Sequence, residues 1–249
     1  MARVMVLCAG LGTRLRPLTE ELPKPLVPVG DRSVLGHITA RLRAAGFGEV
    51  VINTHHLPDA FATEIEQLQI GVREVHEPRI RGTAGGLAGA RTLLGPAPVL
   101  VWNGDILADP PVPMLLDQVD DGLCLAVVPR PVGEGTVGLG EGGHVVRLRG
   151  ERFGDEVGGG DYVGVAAIGA RALGELPDFG CLIGDVALPR LRRGGSLQTA
   201  TAGSGFVDLG DLAGYLHANQ RWLQQNGDAA RVWCGPGARV ADEGALVDT

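Results

Sequence analysis

The chain has 249 residues, 45 % hydrophobic and 4 % aromatic, with a formal charge of −7. Such a length and apolar content suit one large α/β core, and the acidic balance argues against an electrostatic nucleic-acid binder, which would carry a basic patch. Cysteines 8, 124, 181 and 234 form no C-x-x-C pair, so neither a zinc knuckle nor a disulfide framework is indicated; with no apolar run near the ~20 residues of a membrane span, a cytoplasmic protein with free thiols is expected.

The first predicted strand covers 4–7 and runs into Cys8-Ala9-Gly10-Leu11-Gly12-Thr13-Arg14-Leu15, a glycine-rich turn of the kind that offers backbone N–H groups to phosphates. It is not a Walker A loop, lacking Gly-Lys-Ser/Thr, and Leu15 stands where the third glycine of a dinucleotide fingerprint would fall. Arg14 and Arg16 follow at once, and an arginine beside such a turn can stabilise charge building on phosphoryl oxygens. Lys24, flanked by Pro23 and Pro25, is the single lysine among 22 basic residues. Its compact ammonium is not interchangeable with an arginine fork next to a triphosphate.

A helix is predicted next, with Ser33 as N-cap, Leu35, Ile38 and Leu42 on its apolar face, and Gly46 as the stop. Strands are predicted at 50–52, 72–75 and 99–102, and Thr83 is expected to cap a helix running through Leu87 to Leu94. This alternation calls for a parallel sheet covered by helices. Its strand ends would aim the loops 9–16, 76–83 and 103–109 at one edge, where open α/β sheets bind ligands. Asp105, just past the 99–102 strand, can ligate Mg²⁺. Asp208, again after apolar residues, could bracket the same ion.

The second half is less regular, with strands predicted at 123–128, 145–148 and 162–168 and helices at 185–193 and 211–224. Segment 154–160, with four glycines and several acids, reads as a mobile loop. The six histidines form no ligand set, and His55-His56 reads as structural or exposed. From Val232 onward a Gly-x-Ala and aliphatic rhythm suggests the start of a β-helix, with room for little more than one coil.

The run Ala9-Gly-Leu-Gly-Thr-Arg-Leu-Arg-Pro-Leu-Thr19, followed by Pro23-Lys-Pro-Leu-Val-Pro-Val29, resembles the signature of the sugar-phosphate nucleotidylyltransferases, or nucleotide-sugar pyrophosphorylases. The likeness continues in Arg81-Gly-Thr-Ala-Gly-Gly86, Asn103-Gly104-Asp105 and Val207-Asp-Leu-Gly210. It implies a Rossmann-like α/β fold of the GT-A kind, with a mixed, mainly parallel sheet and a short β-helix-like tail. Residues 1–224 would form the catalytic domain, 1–110 its nucleotide-binding half and 111–224 its sugar-phosphate half, with 225–249 as the tail.

The resemblance implies roles residue by residue. Arg14, Lys24 and Asp105 would be catalytic; Ala9, Gly10, Gly12, Thr13, Glu77, Gly82, Thr83 and Gly85 would bind the nucleotide. Asp105 and Asp208 would hold Mg²⁺. Glu151, Arg152 and Gly164 would face the sugar phosphate, although relatives use a lysine there and this chain has none to spare. The substrates implied are an NTP and a sugar 1-phosphate, with no nucleic acid and no membrane, in a monomer or homo-oligomer. The wording looks closest to the guanylyl-transferring, mannose-1-phosphate-like branch. Uridylyl transfer to an amino-sugar phosphate comes next, and a catalytically silent nucleotide-sugar sensor is the reading from another class.

Overall fold

The computed structural model describes residues 2–227. Fourteen strands occur among them: β1 (Arg3–Leu7), β2 (Pro28–Val29), β3 (Arg32–Ser33), β4 (Glu49–Thr54), β5 (Gly71–His76), β6 (Val99–Asn103), β7 (Ile106–Leu107), β8 (Leu123–Arg130), β9 (Val137–Leu139), β10 (Val145–Leu148), β11 (Glu151–Arg152), β12 (Gly158–Ile168), β13 (Gln198–Thr201) and β14 (Val207–Asp208). The α-helices are α1 (Leu18–Glu21), α2 (Val34–Ala44), α3 (Ala60–Gln67), α4 (Gly82–Gly89), α5 (Arg91–Leu94), α6 (Val112–Gln118), α7 (Ala170–Gly174), α8 (Leu188–Arg192) and α9 (Leu212–Asn226).

The Val, Ile and Leu runs of β1, β4 and β6 are buried on both faces, as strands inside a helix-covered parallel sheet must be. In the ten-stranded sheet β5, β4, β1 and β6 are neighbours in parallel, so their C-terminal ends share one edge. Strand β12 then runs antiparallel to β6, with Val165 opposite Trp102, which sets Gly164 level with the end of β6. Beyond that point the same side of β12 pairs with β9, and its other side pairs with β8. The short pair β7 and β14 hangs below the edge, with Asp208 opposite Ile106.

Apolar residues from both halves of the chain share each core. Val4, Val6 and Ile52 pack in one cluster with Val163, Val165 and Leu209, while Met5, Val99 and Val101 share the other with Leu125, Ala166 and Ile168.

Helix α2 is capped as expected, the Ser33 hydroxyl accepting from the Gly36 N–H at 2.8 Å. Helix α9 begins at a capping Asp211, whose carboxylate accepts from the Gly214 N–H at 2.9 Å.

Three expectations are corrected. Thr83 is not an N-cap: α4 already starts at Gly82, the Thr83 hydroxyl accepts instead from the Leu182 N–H at 2.7 Å, and the helix expected through Leu94 is broken at Ala90 into α4 and α5. Segment 154–160 is not wholly a loop, since Gly158–Gly160 open β12 and pair with β9. Glycine is needed there because a Cβ on Gly159 would stand 2.4 Å from the carbonyl oxygens of Glu134 and Pro131. Helix α9 continues to Asn226, past the boundary expected at 224. The β-helix-like stretch from Val232 lies outside the described residues.

Candidate active site

The loops leaving β1, β5 and β6 surround a cleft of about 220 Å³ at the shared edge. Ala9, Gly10, Lys24, Glu77, Gly82, Thr83 and Asp105 line it, and so do Cys8, Asn53 and Asn103. Gly10 has no atom within 4 Å of where its Cβ would be, which leaves its backbone open to a ligand. Gly12 lies in the left-handed region (φ 64°), and a Cβ there would come within 2.8 Å of Thr19 Cγ2. Glycine is therefore required twice over to fold this loop onto the buried Thr19, whose hydroxyl donates to the Gly12 carbonyl at 2.8 Å.

Lys24 sits in a short 3-10 turn, only 8 % exposed, and its Nζ donates to Asp105 Oδ2 at 2.5 Å. An ammonium with so little water around it needs such an anionic hydrogen-bond partner. Asp105 follows β6 at a loop drawn tight against β1: the Gly104 N–H donates to the Leu7 carbonyl at 2.9 Å, and a Cβ on Gly104 would lie 2.6 Å from that oxygen.

Asp208 is brought alongside by the β7–β14 pair, and the Leu209 N–H donates to the Asp105 carbonyl at 2.9 Å. Burial first, and then the Asp105 carboxylate, push the Asp208 carboxyl above its ordinary range, while Lys24, the Gly210 N–H and Arg14 pull it back. Arg14, on the turn after Gly12, reaches Gly210, where a Cβ would stand 3.3 Å from its Nη2. Two carboxylates, one ammonium and one guanidinium thus meet at one edge, from positions spanning residues 14 to 208.

Gly164 lies level with them in the left-handed region (φ 74°); a Cβ there would strike Ile106 Cγ1 at 2.8 Å and Asn103 Nδ2 at 3.0 Å. Gly85 faces away from the cleft, since its Cβ would fall 2.5 Å from the Asp178 carbonyl, so it serves the packing of α4. The structure does not bring Glu151 or Arg152 to the cleft. Both lie on β11 at the outer end of the sheet, where the Glu151 carboxylate is taken by Arg192 at 2.9 and 2.5 Å.

Sequence reasoning missed Asn53, a buried polar residue near the end of β4 after Val50-Val51-Ile52. A polar side chain closing an apolar strand was the available signal, the same one that marks Asn103 and Asp105. The neighbouring histidines are structural, as expected: the His55 ring bonds the Glu77 carbonyl at 2.7 Å and the His56 ring bonds the Thr19 carbonyl at 2.8 Å.

A helix-covered sheet with a glycine turn, a lysine–aspartate pair and a second carboxylate at one strand edge defines a Rossmann-like α/β protein of nucleotidyltransferase architecture. The chain belongs to the nucleotidyl transferase family, whose model matches residues 3–136.

Among curated relatives it is 42 % identical over 114 residues to the N-acetylmuramate alpha-1-phosphate uridylyltransferase of Neisseria meningitidis, covering 43 % of this chain and 48 % of that protein. It is 37 % identical over 116 residues to the mannose-1-phosphate guanylyltransferase of Mycobacterium tuberculosis, covering 45 % of this chain and 32 % of that one. The matched stretch therefore spans half or less of these relatives. HddC from Yersinia pseudotuberculosis, solved in complex with GMP-PN, shares the fold at a TM-score of 0.73 and 21 % identity, over 89 % of this chain and all of that one. A UDP-glucose pyrophosphorylase from Acinetobacter baumannii does so at 0.71 and 18 %, over 91 % and 94 %.

Proposed function

We propose that the chain transfers a nucleotidyl group from an NTP to a sugar 1-phosphate, giving an NDP-sugar and pyrophosphate. The observation carrying this reading is the meeting of Arg14, Lys24, Asp105 and Asp208 beside the open backbone of Gly10. In the reaction a phosphate oxygen of the sugar 1-phosphate bonds to the α-phosphorus of the NTP, and the bond from that phosphorus to the bridging oxygen breaks, releasing pyrophosphate. The attacking oxygen is already ionised near neutral pH, so no general base is required. Catalysis then rests on alignment and on charge held in place before the reaction.

The glycine turn presents N–H groups to the triphosphate, Arg14 lies over the departing pyrophosphate, and Lys24 contacts the phosphoryl oxygens as charge shifts onto the leaving group. Gly82 and Thr83 line the base side, and Gly164 lets the sugar approach the backbone.

The carboxylates fit a magnesium ion. Both offer hard oxygen ligands, and Asp208, raised first by burial and then by the Asp105 carboxylate, carries a charge that a divalent cation would compensate. Among the described residues no group of three or more acidic, histidine or cysteine side chains is placed to hold a metal ion, so phosphate and water oxygens would complete the shell. When bound, the ion neutralises phosphate charge that would otherwise repel the anionic nucleophile.

Guanylyl transfer to a mannose- or heptose-like 1-phosphate is favoured by the guanylyltransferase relatives and by the wording of Gly82-Thr-Ala-Gly85 and Asn103-Gly-Asp-Ile106. Uridylyl transfer to an amino-sugar 1-phosphate is the second reading, favoured by the Neisseria relative. No described helix is long and apolar enough to cross a membrane, in keeping with free substrates.

The test is magnesium-dependent pyrophosphate release across GTP, UTP, dTTP, CTP and ATP with a panel of sugar 1-phosphates. Turnover with one pair that vanishes in Asp105→Asn supports the reading. Nucleotide binding without turnover on any acceptor would favour a sensor.

A further inference from the structure

One wall of the cleft is held from behind by a segment that lines none of it. Residues 178–182, from the second half of the chain, lie against the start of α4, and Gly82 and Thr83 stand between them and the cleft. The contact is made largely backbone to backbone. A helix leaves the donors of its first turn unpaired; here the Ala84 N–H is taken by the Gly180 carbonyl at 2.9 Å, and the Gly180 N–H donates in return to the Arg81 carbonyl at 2.8 Å. The Thr83 hydroxyl completes the set by accepting from the Leu182 N–H at 2.7 Å. A Cβ on Gly82 would stand 2.5 Å from the Gly180 carbonyl oxygen, and one on Gly85 2.5 Å from that of Asp178, so glycine is what lets the two backbones meet.

The outer side of the segment is pinned as well. Asp185 Oδ2 accepts from the Cys181 N–H at 2.7 Å, and Leu182 is buried in the core that also holds Ala84 and Leu87. The chain then continues as a π-helix over Leu182–Ala187, a rare form that is frequent at functional sites. Asp185 itself is exposed and lines no part of the cleft.

We propose that residues 178–182 form a clasp that preorganises the cleft wall at the start of α4, with Thr83 and Asp185 as positioning residues that act through it. The inference rests on the nucleotide reading above. Three of the six residues in Arg81-Gly-Thr-Ala-Gly-Gly86 are glycines, which lose the most conformational freedom when fixed. Without the clasp, the ordering of that wall would have to be met when the nucleotide binds, at the expense of affinity.

Thr83→Val removes the acceptor at nearly constant volume, Thr83→Ser keeps it, and Asp185→Ala loosens the clasp from outside the cleft. The measurement is the dissociation constant for GTP and for UTP, with Mg²⁺ and without an acceptor sugar, at a temperature where each variant is folded. Thr83→Val and Asp185→Ala are each expected to weaken binding by roughly 3- to 10-fold, the range that one neutral hydrogen bond corresponds to. The factor should be the same for every nucleotide that binds. Because both act through one clasp, the double variant should be no weaker than the weaker single one, and Thr83→Ser should restore most of the affinity lost in Thr83→Val. If Thr83→Val does not fold, Asp185→Ala alone decides. A lower melting temperature with unchanged nucleotide affinity in Asp185→Ala overturns the inference, since the segment then serves stability alone. Losses that add in the double variant, or that fall on one of two nucleotides that both bind, overturn it too, since Thr83 would then touch the nucleotide directly. Each of these leaves the nucleotide reading standing, whereas a wild-type chain that binds no nucleotide overturns both.

Discussion

At the scale of single residues, Lys24 and Asp105 combine a structural and a chemical role. Lys24 is held in a slot closed by Gly12, Asp105 and Pro25, with its Nζ 2.5 Å from the carboxylate. Its head is a point charge, and an arginine fork cannot take the same place without displacing the loop. Lys24→Ala is expected to cut single-turnover pyrophosphate release by roughly 10²- to 10³-fold, as loss of one fixed charge facing a transition state does. Lys24→Arg should recover little of it, and near-normal turnover in Lys24→Arg would show that any cation suffices. Asp105→Asn, in contrast, keeps an oxygen to accept from Lys24 but removes the countercharge of that nearly buried ammonium, so its melting temperature should fall and magnesium-dependent turnover should vanish. Both residues stand out in the sequence, one as a lone lysine and the other as a strand-end acid. Their contact across 81 positions is not legible there, because it depends on how closely the loop at Gly104 approaches β1.

At the scale of elements, the strands β1, β4 and β6 are readable because each is an apolar run ending in polar or glycine-rich residues. What escapes is polar or short. Strand β13 is Gln-Thr-Ala-Thr, β9 has three residues, and neither carries a period that a sequence scan resolves. The glycines that open β12 read as flexibility, yet they are fixed by their surroundings. Glu156, in the same segment, is anchored to Arg147 at 2.9 Å and to the Gly133 N–H at 2.8 Å, and its side chain is 3 % exposed. The Arg147 bond foremost, then the Gly133 N–H, hold its carboxyl down from the usual 4.5 to about 2. A depressed acid stabilises the fold above its unfolded-state value, and that contribution is lost as pH falls through the folded-state value. The stability gap between the wild-type chain and Glu156→Gln, measured by urea unfolding, should therefore be fully open at pH 5 and close as pH approaches 2. A gap that stays constant over that interval would mean that Glu156 does not carry the charge assigned to it.

At the scale of the whole molecule, the nucleotide and sugar-phosphate halves expected from the sequence do not have separate cores. Val163, Val165 and Leu209 lie in one cluster with Val4 and Ile52, and Ala166 and Ile168 lie in the other with Met5 and Val101. Strand β12 is the reason, for it covers the flank of β6 opposite β1 and links that strand to β8 and β9. This long-range antiparallel pairing leaves no mark in local periodicity, whereas the parallel order of the first half follows from alternation alone. A chain cut after residue 136, where the family match ends, would bare the β6 edge together with the buried Val99, Leu100, Val101 and Trp102. Such an edge is a template for aggregation, so that fragment should be insoluble or unfolded, and the full chain should unfold in one transition by both circular dichroism and calorimetry. The cleft supplies the sharper check, because it is walled by β1, β5 and β6 and flanked by β12 and β14. A ligand bound there stabilises every element that unfolds with it, by an amount set by its concentration relative to its dissociation constant. Saturating Mg²⁺ with the preferred nucleotide should move the whole transition upward in both measurements. If only part of the signal moves, or two transitions separate, the halves are independent units, and the sugar-phosphate side is positioned by contact with the first half instead of by a common core.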